Sequence, residues 1–136
     1  TFSNNVLNRI ITRGLLLTTR GRVLVENNQF ISTTMSSILL SDGAKSWYES
    51  GMCRDVTISN NTIEYCGQTP ILIKPENNVH FAAVHKNIRI IGNTFKKYKG
   101  FCIKAKSSDN IEIKNNRFKS HKIIKHKNCR NISVQQ

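Results

Sequence analysis

The chain has 136 residues, 21 Lys or Arg against 8 Asp or Glu, and a formal net charge of +13. That length suits one domain, and no run of about 18 apolar residues is present to cross a membrane as a helix. No signal peptide is visible, because Thr1-Phe2-Ser3-Asn4-Asn5 already reads as repeat sequence.

A single unit returns along the chain: an apolar-x-apolar triplet, one residue, an asparagine pair, one residue, an apolar residue. Phe2-Ser3-Asn4-Asn5-Val6-Leu7 is a partial first copy. Val23-Leu24-Val25-Glu26-Asn27-Asn28-Gln29-Phe30 is the first full one, followed by Val56-Thr57-Ile58-Ser59-Asn60-Asn61-Thr62-Ile63. Ile88-Arg89-Ile90-Ile91-Gly92-Asn93-Thr94-Phe95 and Ile111-Glu112-Ile113-Lys114-Asn115-Asn116-Arg117-Phe118 come next, and Ile132-Ser133-Val134 opens a last partial copy. The second asparagines, Asn5, Asn28, Asn61, Asn93 and Asn116, are 23, 33, 32 and 23 residues apart. A second strand follows each: Leu15-Leu16-Leu17, Ile38-Leu39-Leu40, Ile71-Leu72-Ile73, Phe101-Cys102-Ile103 and Ile123-Ile124.

Alternating apolar residues put one side chain in and the next out. A three-residue strand cannot bury its apolar face alone, whereas stacked coils bury a continuous column. Asparagine suits the corner between strands, because it tolerates left-handed backbone angles and its amide can pair with the asparagine one coil away. Leucine-rich repeats are disfavoured, since no segment of 3.6-residue periodicity joins the strands. A β-sandwich would need hairpin turn signals that are absent. The pattern predicts an all-β, right-handed parallel β-helix of about five coils, each of 21–33 residues, with residues 1–136 forming one solenoid segment.

Two coils are lengthened after the same strand, at residues 41–55 and 74–87. Neighbouring coils would then extend loops side by side, a common arrangement for binding and catalysis on a rigid scaffold. The first insertion carries Asp42, Trp47, Tyr48 and Glu49; the second carries Glu76, His80, Phe81 and His85. Aromatics beside carboxylates suit a sugar, and glycoside hydrolysis usually uses two carboxyl groups across the scissile bond. Asp42 lies two residues past Leu40 and Glu76 three past Ile73. One coil step and a one-residue offset predict Cα atoms roughly 5–8 Å apart, compatible with either retention or inversion. The alternative for Asp42 is a turn-capping side chain.

Arg13-Gly14-Leu15-Leu16-Leu17-Thr18-Thr19-Arg20-Gly21, Ser41-Asp42-Gly43-Ala44-Lys45-Ser46-Trp47-Tyr48-Glu49-Ser50-Gly51, Asp55-Val56-Thr57-Ile58 and Pro75-Glu76-Asn77 together resemble family 110 glycoside hydrolases. The resemblance covers roughly residues 13–120, and the Ser-Trp-Tyr-Glu-Ser-Gly element is its most specific part. It implies an exo-acting, inverting α-galactosidase that removes terminal α-1,3-linked galactose, on a right-handed parallel β-helix, with no metal and no cofactor. It implies Asp42 and Glu76 as the catalytic carboxylates, with acid and base unassigned, and Trp47, Tyr48, Glu49 and Arg20 as substrate-binding residues. It also implies a secreted or periplasmic setting. Gly43 departs from the family pattern, which resembles a paired acidic run there. Family members are several times longer, so the segment reads as part of a larger catalytic domain.

Charge supports a second reading. From Lys86 to Gln136 there are 14 Lys or Arg and two acids, Asp109 and Glu112. Such a basic C-terminal third attracts polyanions, and a β-helix that binds or cleaves acidic polysaccharide is the rival to the galactosidase. A non-catalytic repeat module is the third possibility. Cys53, Cys66, Cys102 and Cys129 lack Cys-x-x-Cys spacing, which argues against zinc. The His80/His85 and His121/His126 pairs lack the carboxylate context of a metal motif.

Overall fold

The computed structural model describes residues 1–18, 21–41, 53–74, 85–118 and 122–135. The first coil holds β1 (Phe2–Ser3), β2 (Val6–Ile10) and β3 (Leu15–Leu17), and the second holds β4 (Arg22–Glu26), β5 (Gln29–Thr33) and β6 (Ile38–Leu40). The third holds β7 (Asp55–Ser59), β8 (Thr62–Glu64) and β9 (Ile71–Ile73), and the fourth β10 (His85–Ile91), β11 (Thr94–Lys96) and β12 (Ile103–Lys106). The fifth holds β13 (Ser108–Lys114) and β14 (Ile124–Lys127), and β15 (Arg130–Gln135) begins a sixth. Each strand pairs in parallel with its equivalent one coil away, giving a first sheet β1-β4-β7-β10-β13-β15, a second β2-β5-β8-β11 and a third β3-β6-β9-β12-β14. This is the right-handed parallel β-helix predicted from the repeat.

Three strands form a coil where the sequence suggested two. The apolar residue after each asparagine pair, which looked like the end of the repeat unit, is the inward residue of the second sheet. Leu7, Phe30, Ile63 and Phe95 stand there in register, and the Phe95 ring stacks on Phe118 at 5.4 Å. In the first sheet, Val25, Ile58, Ile90 and Ile113 form one inward column and Val56, Ile88 and Ile111 another, all fully buried.

The third sheet corrects one boundary. Ile103, not Phe101, pairs with Ile71, so the fourth-coil strand is Ile103–Lys106 rather than Phe101-Cys102-Ile103. The strand therefore starts ten residues after Asn93, the same offset as Leu15, Ile38 and Ile71 keep from Asn5, Asn28 and Asn61. Cys102 is nonetheless fully buried, and that burial pushes its thiol pKa up. Cys53 and Cys66 are both buried free thiols.

The asparagine pairs divide their labour. The first member adopts the left-handed conformation, with φ of 58° at Asn4, 56° at Asn27, 54° at Asn60 and 56° at Asn115. Gly92 takes this place in the fourth coil at φ 69°, where a Cβ would fall 2.5 Å from Asn60 Oδ1. The second member builds a ladder through the interior. Asn61 Oδ1 accepts from the backbone N–H and the Nδ2 of Asn28, both at 3.0 Å. Asn61 Nδ2 donates to Val25 O at 3.0 Å and to Asn93 Oδ1 at 3.0 Å. Asn93 repeats the pattern, accepting from Asn61 and donating to Ile58 O at 2.9 Å and Asn116 Oδ1 at 3.0 Å. Asn28, Asn61 and Asn93 are at most 1% exposed, so these bonds replace water completely.

Each lost rung leaves buried amides unpaired at about 1–3 kcal/mol per group. Asn93→Ala is expected to cost about 3 kcal/mol on that basis, and Asn93→Asp more, because a carboxylate would face Ile58 O and Asn116 Oδ1 with no proton to donate. Asn5→Ala, at a half-buried rung, is expected to cost about 1 kcal/mol. Hydrogen exchange of the flanking strands in the full-length protein measures this order.

Candidate functional site

Both insertions are rooted at the corner between the third and first sheets. Leu40 pairs with Ile73 in register, and the ladder runs one residue beyond the strands: Ser41 N donates to Leu17 O at 2.9 Å and Lys74 N to Leu40 O at 3.0 Å. The chain thus leaves the scaffold at equivalent points of adjacent coils. It returns at equivalent points too. Lys86 N donates to Cys53 O at 2.9 Å, and Cys53 N donates to His85 Nδ1 at 3.0 Å. Cys53 and His85 are both fully buried. His85 therefore stitches the feet of the two insertions together, with Nδ1 held as an acceptor. This gives it a structural place, whereas the sequence offered it only as half of a weak His80/His85 pair.

Asp42, Trp47, Tyr48 and Glu49 lie outside the described residues, as do Gly43, Glu76, His80 and Arg20. What the described scaffold fixes is their attachment. Asp42 follows Ser41 directly, Glu76 comes two residues after Lys74, and Arg20 precedes β4 at the same corner one coil earlier. All six candidate residues belong to the third-to-first-sheet connections of three successive coils.

Beside this corner, the outer face of the first sheet carries a charged cluster. Asp55 opens β7 where the first insertion ends. Its Oδ2 accepts from Arg22 Nε at 3.2 Å, and its Oδ1 pairs with Arg89 Nη2. Arg89 Nε also donates to Thr57 Oγ1 at 3.0 Å. The Arg89 hydrogen bond, ahead of the field of Arg89 and the contacts from Arg22, holds the Asp55 carboxyl below its ordinary 3.8. Three neighbouring coils contribute one charge each to a cluster that keeps its carboxylate ionised and orients two guanidinium groups outward. The described residues bring no three His, Cys, Asp or Glu side chains together as a metal site.

A family described as the right-handed β-helix region matches residues 1–136. The chain belongs to the right-handed β-helix family. Within that family its relatives are specific. It is 40% identical to alpha-1,3-galactosidase A of Bacteroides thetaiotaomicron over 98% of the chain and 25% of that relative. It is 45% identical to alpha-1,3-galactosidase A of Akkermansia muciniphila over 85% of the chain and 20% of the relative. Alpha-1,3-galactosidase B of the same species is 35% identical over 98% of the chain and 19% of its own length. The resemblance to family 110 glycoside hydrolases drawn from the insertion motifs thus holds along nearly the whole chain. The segment spans a quarter or less of these relatives.

Sequence reasoning missed the Arg22–Asp55–Arg89 cluster in this β-helix. The signal was present, because Arg22 and Asp55 fall at equivalent places in adjacent copies. For Asp55 the sign of the pH dependence follows from its depressed folded pKa. The stabilisation is present above the ordinary value of 3.8 and is lost as pH falls through the folded value. Carboxyl-carbon NMR of Asp55 is expected to titrate below 3.8. Arg89→Gln is expected to raise the midpoint more than Arg22→Gln.

Proposed function

We propose that the full-length protein carrying this segment is a glycoside hydrolase of the exo-α-1,3-galactosidase type, acting on terminal α-linked galactose. The observation that carries the reading is the shared root of the two insertions: Leu40 and Ile73 in register, with an acid following each within three residues. Two carboxyl groups on adjacent coils meet the basic requirement of glycosidic cleavage, one protonating the leaving oxygen and the other activating water or attacking. The names of the relatives supply the sugar and the linkage. The family resemblance supplies inversion, which calls for carboxyls about 6.5–9.5 Å apart so that water fits between them.

In this reading Asp42 and Glu76 flank the scissile bond. Trp47 and Tyr48 offer ring faces to the apolar side of the pyranose, and Glu49 and Arg20 hold hydroxyls. The buried Cys53–His85 contact and the Leu40–Ile73 pairing keep the insertion feet fixed while the sugar binds. A site on such a scaffold tolerates little displacement, since misplacement by about 1 Å can cost 100-fold in rate.

Released galactose from an α-1,3-galactoside, followed by NMR for its anomeric form, tests both activity and stereochemistry in the full-length protein. Asp42→Asn and Glu76→Gln are each expected to lower kcat by about 10²–10⁴-fold. No release by the intact protein rejects the hydrolase, and full activity in both variants rejects the site. Disturbing the feet gives a milder effect. His85→Ala is expected to lower kcat/KM by roughly 100-fold through misplacement of the insertions, with loss of hydrogen-exchange protection at Lys86 as the accompanying sign.

A further inference from the structure

The third sheet changes character along its axis. Its outward row runs Leu16, Leu39, Leu72, Lys104, Lys125 in register. In the next outward row Lys106 pairs with Lys127. Lys74 follows Ile73, the partner of Ala105, and so takes the place of Lys106 one coil earlier. Coils about 4.8 Å apart, and outward residues about 6.6 Å apart along a strand, set five lysines and Leu72 on a two-by-three grid. The basic C-terminal third supplies Lys104, Lys106, Lys125 and Lys127.

Packing and edge protection do not account for the whole of this grid. Like charges directly opposite in neighbouring strands destabilise a sheet. Lysines that guard against aggregation belong on edge strands, which suits Lys125 and Lys127 on β14 at the end of the sheet but not Lys104 and Lys106, since β12 is interior, between β9 and β14. The acids among the described residues lie elsewhere: Glu26, Asp55, Asp109 and Glu112 on the first sheet and Glu64 on the second. None of them forms an ion pair with the five lysines.

At the grid's edge the surface sinks into a cavity of about 390 Å³, within the roughly 300–1,000 Å³ range of small-ligand sites. Leu72, Lys74, Lys104 and Lys106 line it, together with Ser36, Gln68 and Thr69 from the turns that lead into the sheet.

We propose that this cavity is a subsite for an anionic sugar residue, one bearing a sulfate ester or a carboxylate. The ammonium groups of Lys74, Lys104 and Lys106 take the anion, Gln68 takes a hydroxyl, and Leu72 lies under the apolar face of the ring. The sugar in this assignment rests on the glycosidase reading; the anion rests on the lysine grid. The subsite stands on the face from which both insertions depart, Lys74 being the last described residue before the second.

The test is calorimetric binding to the full-length protein at fixed salt, using size-matched neutral, sulfated and uronate-containing galacto-oligosaccharides and single-stranded DNA of equal charge. One or both acidic oligosaccharides are expected to bind at least roughly tenfold tighter than the neutral one, and which of them does so identifies the anion. Lys104→Gln/Lys106→Gln is expected to abolish that preference. Release of galactose from a neutral substrate is expected to be unchanged in the doubly substituted protein. Equal binding of neutral and acidic sugars overturns the proposal, as does a preference that survives the double substitution. DNA binding as tight as the best sugar overturns it in favour of a general polyelectrolyte surface. Lysine-dependent binding without galactose release leaves this subsite standing and removes the hydrolase reading.

Discussion

The interior asparagine ladder is the constraint on which the coil geometry depends. Each Asn amide from Asn28 to Asn93 uses both of its Nδ2 protons and receives two donors at Oδ1. Its partners come from both adjacent coils. A slip of one residue in any coil would therefore strand buried amides on two sides and turn the strand's apolar face outward. The isoleucine and valine columns provide most of the burial but would tolerate small shifts. The amides would not, and low local dielectric makes their pairing more consequential than at a surface.

With one corner fixed in this way, variation is confined to the others. Both insertions leave after the third sheet, as far along the coil from the asparagine corner as the path allows. Their feet are tied by Ser41, Lys74, Cys53 and His85 to neighbouring coils. The feet of both insertions are thus held to the scaffold by hydrogen bonds between coils. The Arg22–Asp55–Arg89 cluster and the lysine grid flank that corner on the first and third sheets. The charged surface is thus divided, with the paired charges on one face and a purely cationic array on the other.

The repeat was legible because few residue types satisfy both demands of the corner. Asn4, Asn27, Asn60 and Asn115 need a left-handed backbone, and their successors need an amide with two donors and an acceptor. Gly92 fits the first demand and Asn93 the second, so even the altered copy could be read. The fourth-coil strand was misplaced because Phe101-Cys102-Ile103 looks more like a buried strand than Ile103-Lys104-Ala105-Lys106. Cys102 is buried and Phe101 half-buried in the turn before the strand. The correct boundary is what reveals the lysine grid, since it aligns Lys104 with Leu72 and Lys106 with Lys127. The Arg22–Asp55–Arg89 cluster was hidden for a related reason: each coil contributes one charge, 33 or 34 residues from the next. For Asp42 and Glu76, sequence motif and strand register bear on different parts of the question, chemistry in one case and attachment in the other.

The spacing of the rungs also bears on how such a chain assembles. Neighbouring asparagines are 23, 33, 32 and 23 residues apart, so no rung forms between near neighbours in sequence. Closing a loop of 33 residues instead of 23 adds only about 0.3 kcal/mol of entropy, because the cost grows with the logarithm of length. The long coils are thus nearly as easy to close as the short ones. Growth of the solenoid is governed instead by docking each coil on its predecessor, as in other stacks with nearest-neighbour coupling. A defect at Asn61 would weaken docking of the third coil on both the second and the fourth, so growth from either direction would slow at that point.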